Sequence, residues 1–187
     1  MIRMSSLKDR YAGQPAAVLG GGPSLPGDMA KLPPGCLLIA VNYHALYLCK
    51  PGWIVYNDQP ESDPLLLEAI QREDIVRVSP EPSSNVFFDV PVWTGFYSSN
   101  TAAWFALWMG CDPVILCGMD CYQGEAKYFH PTSRDEPTFH YPLDHHIRPW
   151  VEEGRMLLPH VKRLKAMSGP LVNVFGAYEV NRETVAA

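Results

Sequence analysis

The chain has no apolar run approaching the roughly 20 residues that a helix needs to cross a bilayer. Its first residues, Met1-Ile2-Arg3-Met4-Ser5-Ser6-Leu7, contain no apolar stretch long enough for a secretory signal, so a soluble, cytoplasmic protein without a membrane span is expected. A disulfide framework is missing too, because five cysteines, an odd number without repeated spacing, fit reduced thiols better than paired ones. Positive charge is not in excess. A formal net charge of −5 speaks against general affinity for nucleic-acid backbone, and no nucleic-acid partner is expected. Standard zinc patterns are absent, there being no Cys-x-x-Cys and no His-Glu-x-x-His, so Cys117, Cys121 and the histidines are not expected to form a metal site. What remains is an ordinary globular composition, 47% hydrophobic and 19% charged, over 187 residues that suffice for one domain with a substantial core.

The most informative segment is Ala16-Ala17-Val18-Leu19-Gly20-Gly21-Gly22-Pro23-Ser24-Leu25, an apolar strand running into three glycines, a proline and a serine. Glycines allow close backbone approach to a ligand, and amides opening a helix can meet an anion. Ser24 can add a hydroxyl or cap that helix. The segment lacks the Lys-Ser/Thr of a P-loop and the spaced glycines of a dinucleotide fingerprint, and a plain tight turn is the competing reading.

Short apolar runs predict strands at 16–19, 36–41, 53–56, 75–78, 86–88, 113–117 and 171–174, and helical spacing predicts helices at 64–72, 100–110 and 150–167. This alternation implies a single α/β domain over 1–187, Rossmann-like, with a mostly parallel sheet flanked by helices and ligands at the carboxyl ends of its strands. Polar residues gather at those ends: Asn42, Tyr43 and His44 after one strand, Asn57 and Asp58 after another, and Gly118-Met119-Asp120-Cys121-Tyr122 after a third. Each alone could be a turn former. Together they predict a pocket.

The stretch from about 119 to 149 reads as a long lid. It holds Tyr128, Tyr141, Asp144 and four of the six histidines, His130, His140, His145 and His146. Trp104, Phe105 and Trp108 share one side of a predicted helix and are expected in the core, whereas Trp93, Phe96 and Tyr97 could wall the pocket. Glu152-Glu153 is not a glycosidase dyad, since adjacent helical residues do not face each other.

The order of Gly-Gly-Pro-Ser-Leu, Asn42, Tyr56-Asn57, Ser98-Ser99-Asn100-Thr101, Gly118-Met119-Asp120-Cys121-Tyr122-Gln123, Tyr128 and His140-Tyr141 resembles the bacterial sialyltransferases of glycosyltransferase family 42. The resemblance runs over roughly residues 15–150, and the spacing of the two tyrosines is its most specific part. It implies a nucleotide-binding α/β domain that uses a CMP-type sugar donor without a metal and passes the sugar to a glycan or small-molecule acceptor. Tyr122 and Tyr128 would then hydrogen-bond the departing phosphate oxygen, and His145 would be the general base. Gly21, Gly22, Ser24, Asn42, Asn57, Asp58, Ser99 and Asp120 would form the nucleotide-binding set. The chain departs from the family pattern in that the interval from His140 to His145 is one residue longer, which puts Asp144 near the family's histidine position and leaves His140 and His146 as substitutes. It is also short relative to that family in the middle and after its last strand. This is compatible with a smaller acceptor, with an acceptor site completed by a neighbouring subunit of a homo-oligomer, or with no acceptor.

The glycine loop and acidic strand ends also resemble the archaeal 6-hydroxymethyl-dihydropterin diphosphokinases. That resemblance implies Asp58 and Asp120 holding Mg²⁺ on a nucleoside triphosphate for pyrophosphoryl transfer. Asn at 42 and 57 weakens it. A nucleotide-binding scaffold without catalysis is the third reading.

Overall fold

The run Ala16-Ala17-Val18-Leu19 offers no polar face to water, and all four residues are buried at the centre of a sheet. The structure is a computed structural model that describes residues 1–90, 97–123, 126–130, 142–154 and 160–179. In chain order its elements are β1 (Ile2–Arg3), β2 (Ala16–Leu19), α1 (Leu25–Met29), β3 (Leu37–Val41), β4 (Trp53–Val55), α2 (Pro64–Ile70), β5 (Val76–Val78), β6 (Val86–Phe87), α3 (Ser98–Trp108), β7 (Val114–Cys117), α4 (Leu143–Gly154), β8 (Leu164–Ala166) and α5 (Val172–Phe175). Six strands form a parallel sheet in the order β5-β4-β3-β2-β7-β8, while β1 and β6 pair in a separate two-stranded sheet. The architecture is Rossmann-like. Among the described residues, no helix is long and apolar enough to cross a membrane.

Successive strand residues face opposite sides, so two apolar layers are filled at once. Val18, Ile39, Val55 and Leu116 pack with Phe105 of α3 and with Met109, which caps its C-terminus, on one face. Leu19, Ala40, Ile54 and Ile115 pack with Leu66 and Ile70 of α2 on the other. The expected aromatic core is present in graded form. Phe105 is fully buried edge-on against Trp53 at 5.2 Å, while Trp104 and Trp108 stack on each other at 5.4 Å and are half-buried against the same core. Strand register matters most for function. Leu19 lies level with Ala40 on one side and Cys117 on the other, so the chain leaves β2, β3 and β7 at one edge. Between β2 and β7 the strand order reverses, and loops leaving there diverge to open a crevice.

Three expectations fail. The sheet's last strand is Leu164–Ala166, which lies inside the predicted helix 150–167; Leu164 and Ala166 are buried against β7, and three residues are too short to carry a strand pattern. The apolar run at 171–174 is instead within the short helix α5, which follows the Gly169-Pro170 turn. Val86–Phe87 joins β1 rather than the main sheet. Of the expected lid, 124–125 and 131–141 lie outside the described residues, as do Trp93 and Phe96, and α4 begins inside it at Leu143.

Candidate active site

The strand ends β2, β3, β4 and β7, the start of α3 and the near side of α4 surround a cavity of about 370 Å³. Gly21, Gly22, Asn42, Asn57, Asp58, Ser99, Asp120, Tyr122 and Tyr128 of the sequence-derived set line it, together with Ser98, Tyr97, Lys127, His44 and His146. Ser24 lies behind the wall. His145 is exposed and does not line the cavity, whereas its neighbour His146 is 5% exposed and does. Adjacent residues on a helix point about 100° apart, so only one of the pair can face inward. His140 lies outside the described residues.

The glycine loop lines the cavity and is also bonded into the protein behind it. Two of its amides are spent on the protein: Gly20 N–H donates to Cys117 O at 2.8 Å and Gly22 N–H to Gly118 O at 2.9 Å. Ser24 donates its backbone N–H to Asp120 Oδ2 at 3.0 Å, and its single hydroxyl proton is shared between that oxygen, 2.9 Å away, and Asp28 Oδ2. A carboxylate of the protein therefore occupies the start of α1, where an anionic ligand was expected. The glycines serve close approach. A Cβ at Gly22 would collide with the Asp120 carboxylate, and one at Gly21 would lie 2.7 Å from the His44 ring and 2.8 Å from Tyr128. Beneath the loop, the buried Asp28 carboxylate accepts from Gly118 N–H at 3.0 Å, Ser24 Oγ–H at 3.0 Å and Ser168 Oγ–H at 2.8 Å, tying the ends of β2, β7 and β8 together.

The turn after β7 is shaped for display. Gly118 (φ 63°), Cys121 (φ 52°) and Tyr122 (φ 55°) are left-handed, and two of these are not glycine, a conformation that side chains tolerate poorly and that clusters at functional sites. It carries Tyr122 into the cavity with 39% of its surface still exposed. Burial pushes the Tyr122 phenol up, a hydrogen bond with Tyr128 opposes this, and the Asp58 carboxylate adds to the rise; the hydroxyl is therefore a proton donor at neutral pH. The rings of Tyr122 and Tyr128 meet edge to face at 6.3 Å, and Lys127 lies over both, 5.6 Å and 5.2 Å from their centroids. On the other side of Tyr122 is the His146 ring, at 4.9 Å, whose Nδ1 is 3.3 Å from the Tyr97 hydroxyl. Burial holds the His146 imidazole below its ordinary value, and the nearby His145 acts in the same direction, so His146 is neutral near pH 7. Cys121 lines the cavity as well, but burial pushes its thiol up to about 11, which removes it as a nucleophile.

The polar floor is asparagine and serine. Asn42 is left-handed (φ 53°), places Nδ2 3.3 Å from Asp58 Oδ2, and keeps Oδ1 buried without a hydrogen-bond partner among the described residues. Asn57 N–H donates to Ser98 Oγ at 3.0 Å, fixing the end of β4 to the first residue of α3. That helix opens on Tyr97 with no side-chain cap, and the amides of Ser98 and Ser99, first in the helix, have no partner within the helix itself. Sequence reasoning left out Lys127 and Ser98 as site residues and placed His44 at the pocket without giving it a role. Lys127 had a readable signal in its place beside Tyr128, whereas His44 reaches the cavity only because β3 lies next to β2.

No family model matches the sequence, and no curated protein matches it. Among solved structures, the chain is similar to the sialyltransferase CstII from Campylobacter jejuni, determined in complex with a substrate analogue, CMP-3FNeuAc, with a TM-score of 0.59 at 15% identity over 89% of this chain and 87% of that one. It is also similar to the MAf glycosyltransferase from Magnetospirillum magneticum AMB-1, with a TM-score of 0.49 at 12% identity over 95% of this chain and 36% of that one. The fold is glycosyltransferase-like. The likeness to the sialyltransferase does not support the resemblance to the pterin diphosphokinases.

Proposed function

We propose that the cavity binds a nucleotide-activated sugar of the CMP type and transfers the sugar to an acceptor hydroxyl without a metal. The observation that carries this reading is the grouping of two hydroxyl donors, Tyr122 and Tyr128, with the neutral imidazole of His146 around one cavity at the carboxyl ends of a parallel sheet. The acceptor oxygen forms its bond to the anomeric carbon as the bond from that carbon to the phosphate oxygen breaks. The acceptor's proton passes to His146, and the electron pair leaves with the phosphate. Tyr122 and Tyr128 donate to that oxygen as its charge grows, and Lys127 adds a positive charge behind them. The first-turn amides and dipole of α3 at Ser98 and Ser99 suit a phosphate, while Asn42 and Asn57 offer amide groups to the nucleotide. His146 takes the base role expected of His145 because it is the imidazole of the pair that reaches the cavity. The presence of CMP-3FNeuAc in the similar sialyltransferase supports a cytidine-linked donor.

The magnesium-dependent alternative draws on Asp58 and Asp120, both in the cavity, but Asp120 Oδ2 is already engaged by Ser24. Isothermal titration with CMP, CDP, UDP, ATP and GTP, each with magnesium and again with EDTA, tests these readings. CMP binding that ignores EDTA is expected. Magnesium-dependent ATP or GTP binding would favour the diphosphokinase chemistry, and no binding at all would favour a non-catalytic scaffold.

A further inference from the structure

Tyr128 stands on chain that belongs to no helix or strand. Its neighbour Phe129 donates its N–H to Gly21 O at 3.0 Å, and side chains supply much of the remaining support. The His44 ring stacks on Tyr128 with centroids 4.1 Å apart and planes 24° apart. Nδ1 of His44 is 2.9 Å from Nε2 of His130, and Tyr47 stacks on His130 at 4.2 Å. Both histidines are nearly buried, His44 at 6% exposure and His130 at 8%. Gly21 is small enough to admit this stack: a Cβ there would lie 2.7 Å from the His44 ring. One imidazole thus touches the glycine loop, the tyrosine and the far end of the tyrosine's segment. The transfer chemistry proposed above does not use it.

We propose that His44 is a positioning residue: through its hydrogen bond to His130 it clamps residues 126–130 onto the glycine loop and holds the Tyr128 hydroxyl in the cavity. The consequence for turnover rests on the reading of Tyr128 as a donor to the leaving phosphate; the clamp itself does not. Stacking sets the distance between the rings, and the hydrogen bond sets the direction of the segment. A donor misplaced by about 1 Å costs rate on the order of 100-fold while leaving ground-state contacts largely intact.

Two substitutions separate bond from ring. His44→Asn keeps a polar atom where Nδ1 stands and loses the ring, whereas His44→Phe keeps a ring and loses the bond. By hydrogen exchange with mass spectrometry, His44→Phe should speed exchange at Phe129 by about tenfold or more and His44→Asn by less than about threefold. With the donor found by the titration above, His44→Phe should lower kcat by about 30-fold with KM within about twofold, and His44→Asn should recover most of that loss. CMP affinity should hold in both. His130→Phe removes the same bond from the other side and should match His44→Phe, which keeps the test informative if one variant misfolds. Unchanged exchange at Phe129 in both phenylalanine variants would overturn the clamp, as would equal losses in His44→Asn and His44→Phe. If Tyr128→Phe turned over normally while His44→Phe loosened the segment, the clamp would stand and the role given to Tyr128 would fall.

Discussion

The loops that follow β2 and β7 start level with each other and face the same cavity, yet they do opposite work. The glycine loop turns most of its polar groups inward, the amides of Gly20 and Gly22 on the end of β7 and Ser24 on Asp120 and Asp28. The turn from Gly118 to Tyr122 accepts left-handed backbone at Cys121 and Tyr122 and delivers a protonated phenol to the cavity. Glycine richness here marks where neighbouring loops must come close, and the strained turn marks where a side chain is displayed to the cavity. Damage to the first loop should therefore show as lost stability, and damage to the second, with the groups around it, as lost turnover.

The largest effect is expected beside the tyrosine turn. His146→Asn should lower turnover by about 1,000-fold, the range for loss of a general base. Its pH dependence carries a sign. Because the folded imidazole lies below the ordinary value of 6.5, turnover in the wild type should persist below pH 6.5 and fall only as His146 itself protonates. Stability should follow the same group: as pH falls from 6.5 towards the folded value the unfolded chain gains the proton first, so the fold loses stability over that window, and His146→Asn should flatten that loss. A pH–rate profile beside urea melts at several pH values checks both. His145→Ala should leave turnover nearly intact and move the acid limb upward, since His145 helps to hold His146 down.

On the glycine-loop side, Asp28→Ala removes the acceptor for three donors in a buried place and should cost about 3 kcal/mol in urea unfolding. A loss below about 1 kcal/mol would mean that water replaces the carboxylate and that the strand ends are not tied through it. Back on the tyrosine side, Tyr122→Phe and Tyr128→Phe should each lower kcat by about 100-fold with CMP affinity within about threefold. Equal losses in kcat and affinity would turn both tyrosines into binding groups alone. The smallest effect sharpens the contrast most: Ser24→Ala should cost about 1 kcal/mol of stability and leave CMP affinity unchanged. A tenfold loss of affinity in a calorimetric titration would return the glycine loop to the nucleotide site.

Much of the sheet was legible because its strands are short, apolar and bounded by turn residues. Ala16–Leu19 matches its predicted strand residue for residue, and β3, β4, β5 and β7 fall within theirs. The C-terminal part was not legible. Leu164–Ala166 is a strand because an edge of β7 was available to pair, and Leu-Val-Asn-Val-Phe, strand-like by composition, follows a Gly-Pro turn into a helix. The site residues were readable where they end strands, as with Asn42, Asn57 and Asp120. The histidines were not, since which of His145 and His146 faces inward depends on the rotation of α4, and the partnership of His44 with His130 joins residues 86 positions apart.

By itself, then, the amino-acid sequence determined a parallel α/β sheet, the strand ends that carry polar groups and the two tyrosines six residues apart, because periodicity and turn chemistry are local. Tertiary structure decided that Asp120 fills the start of α1, that the first turn of α3 lines the cavity, and that His146 rather than His145 reaches it. Those outcomes depend on which distant groups meet and how much water they lose, and neither is written in any local stretch of residues.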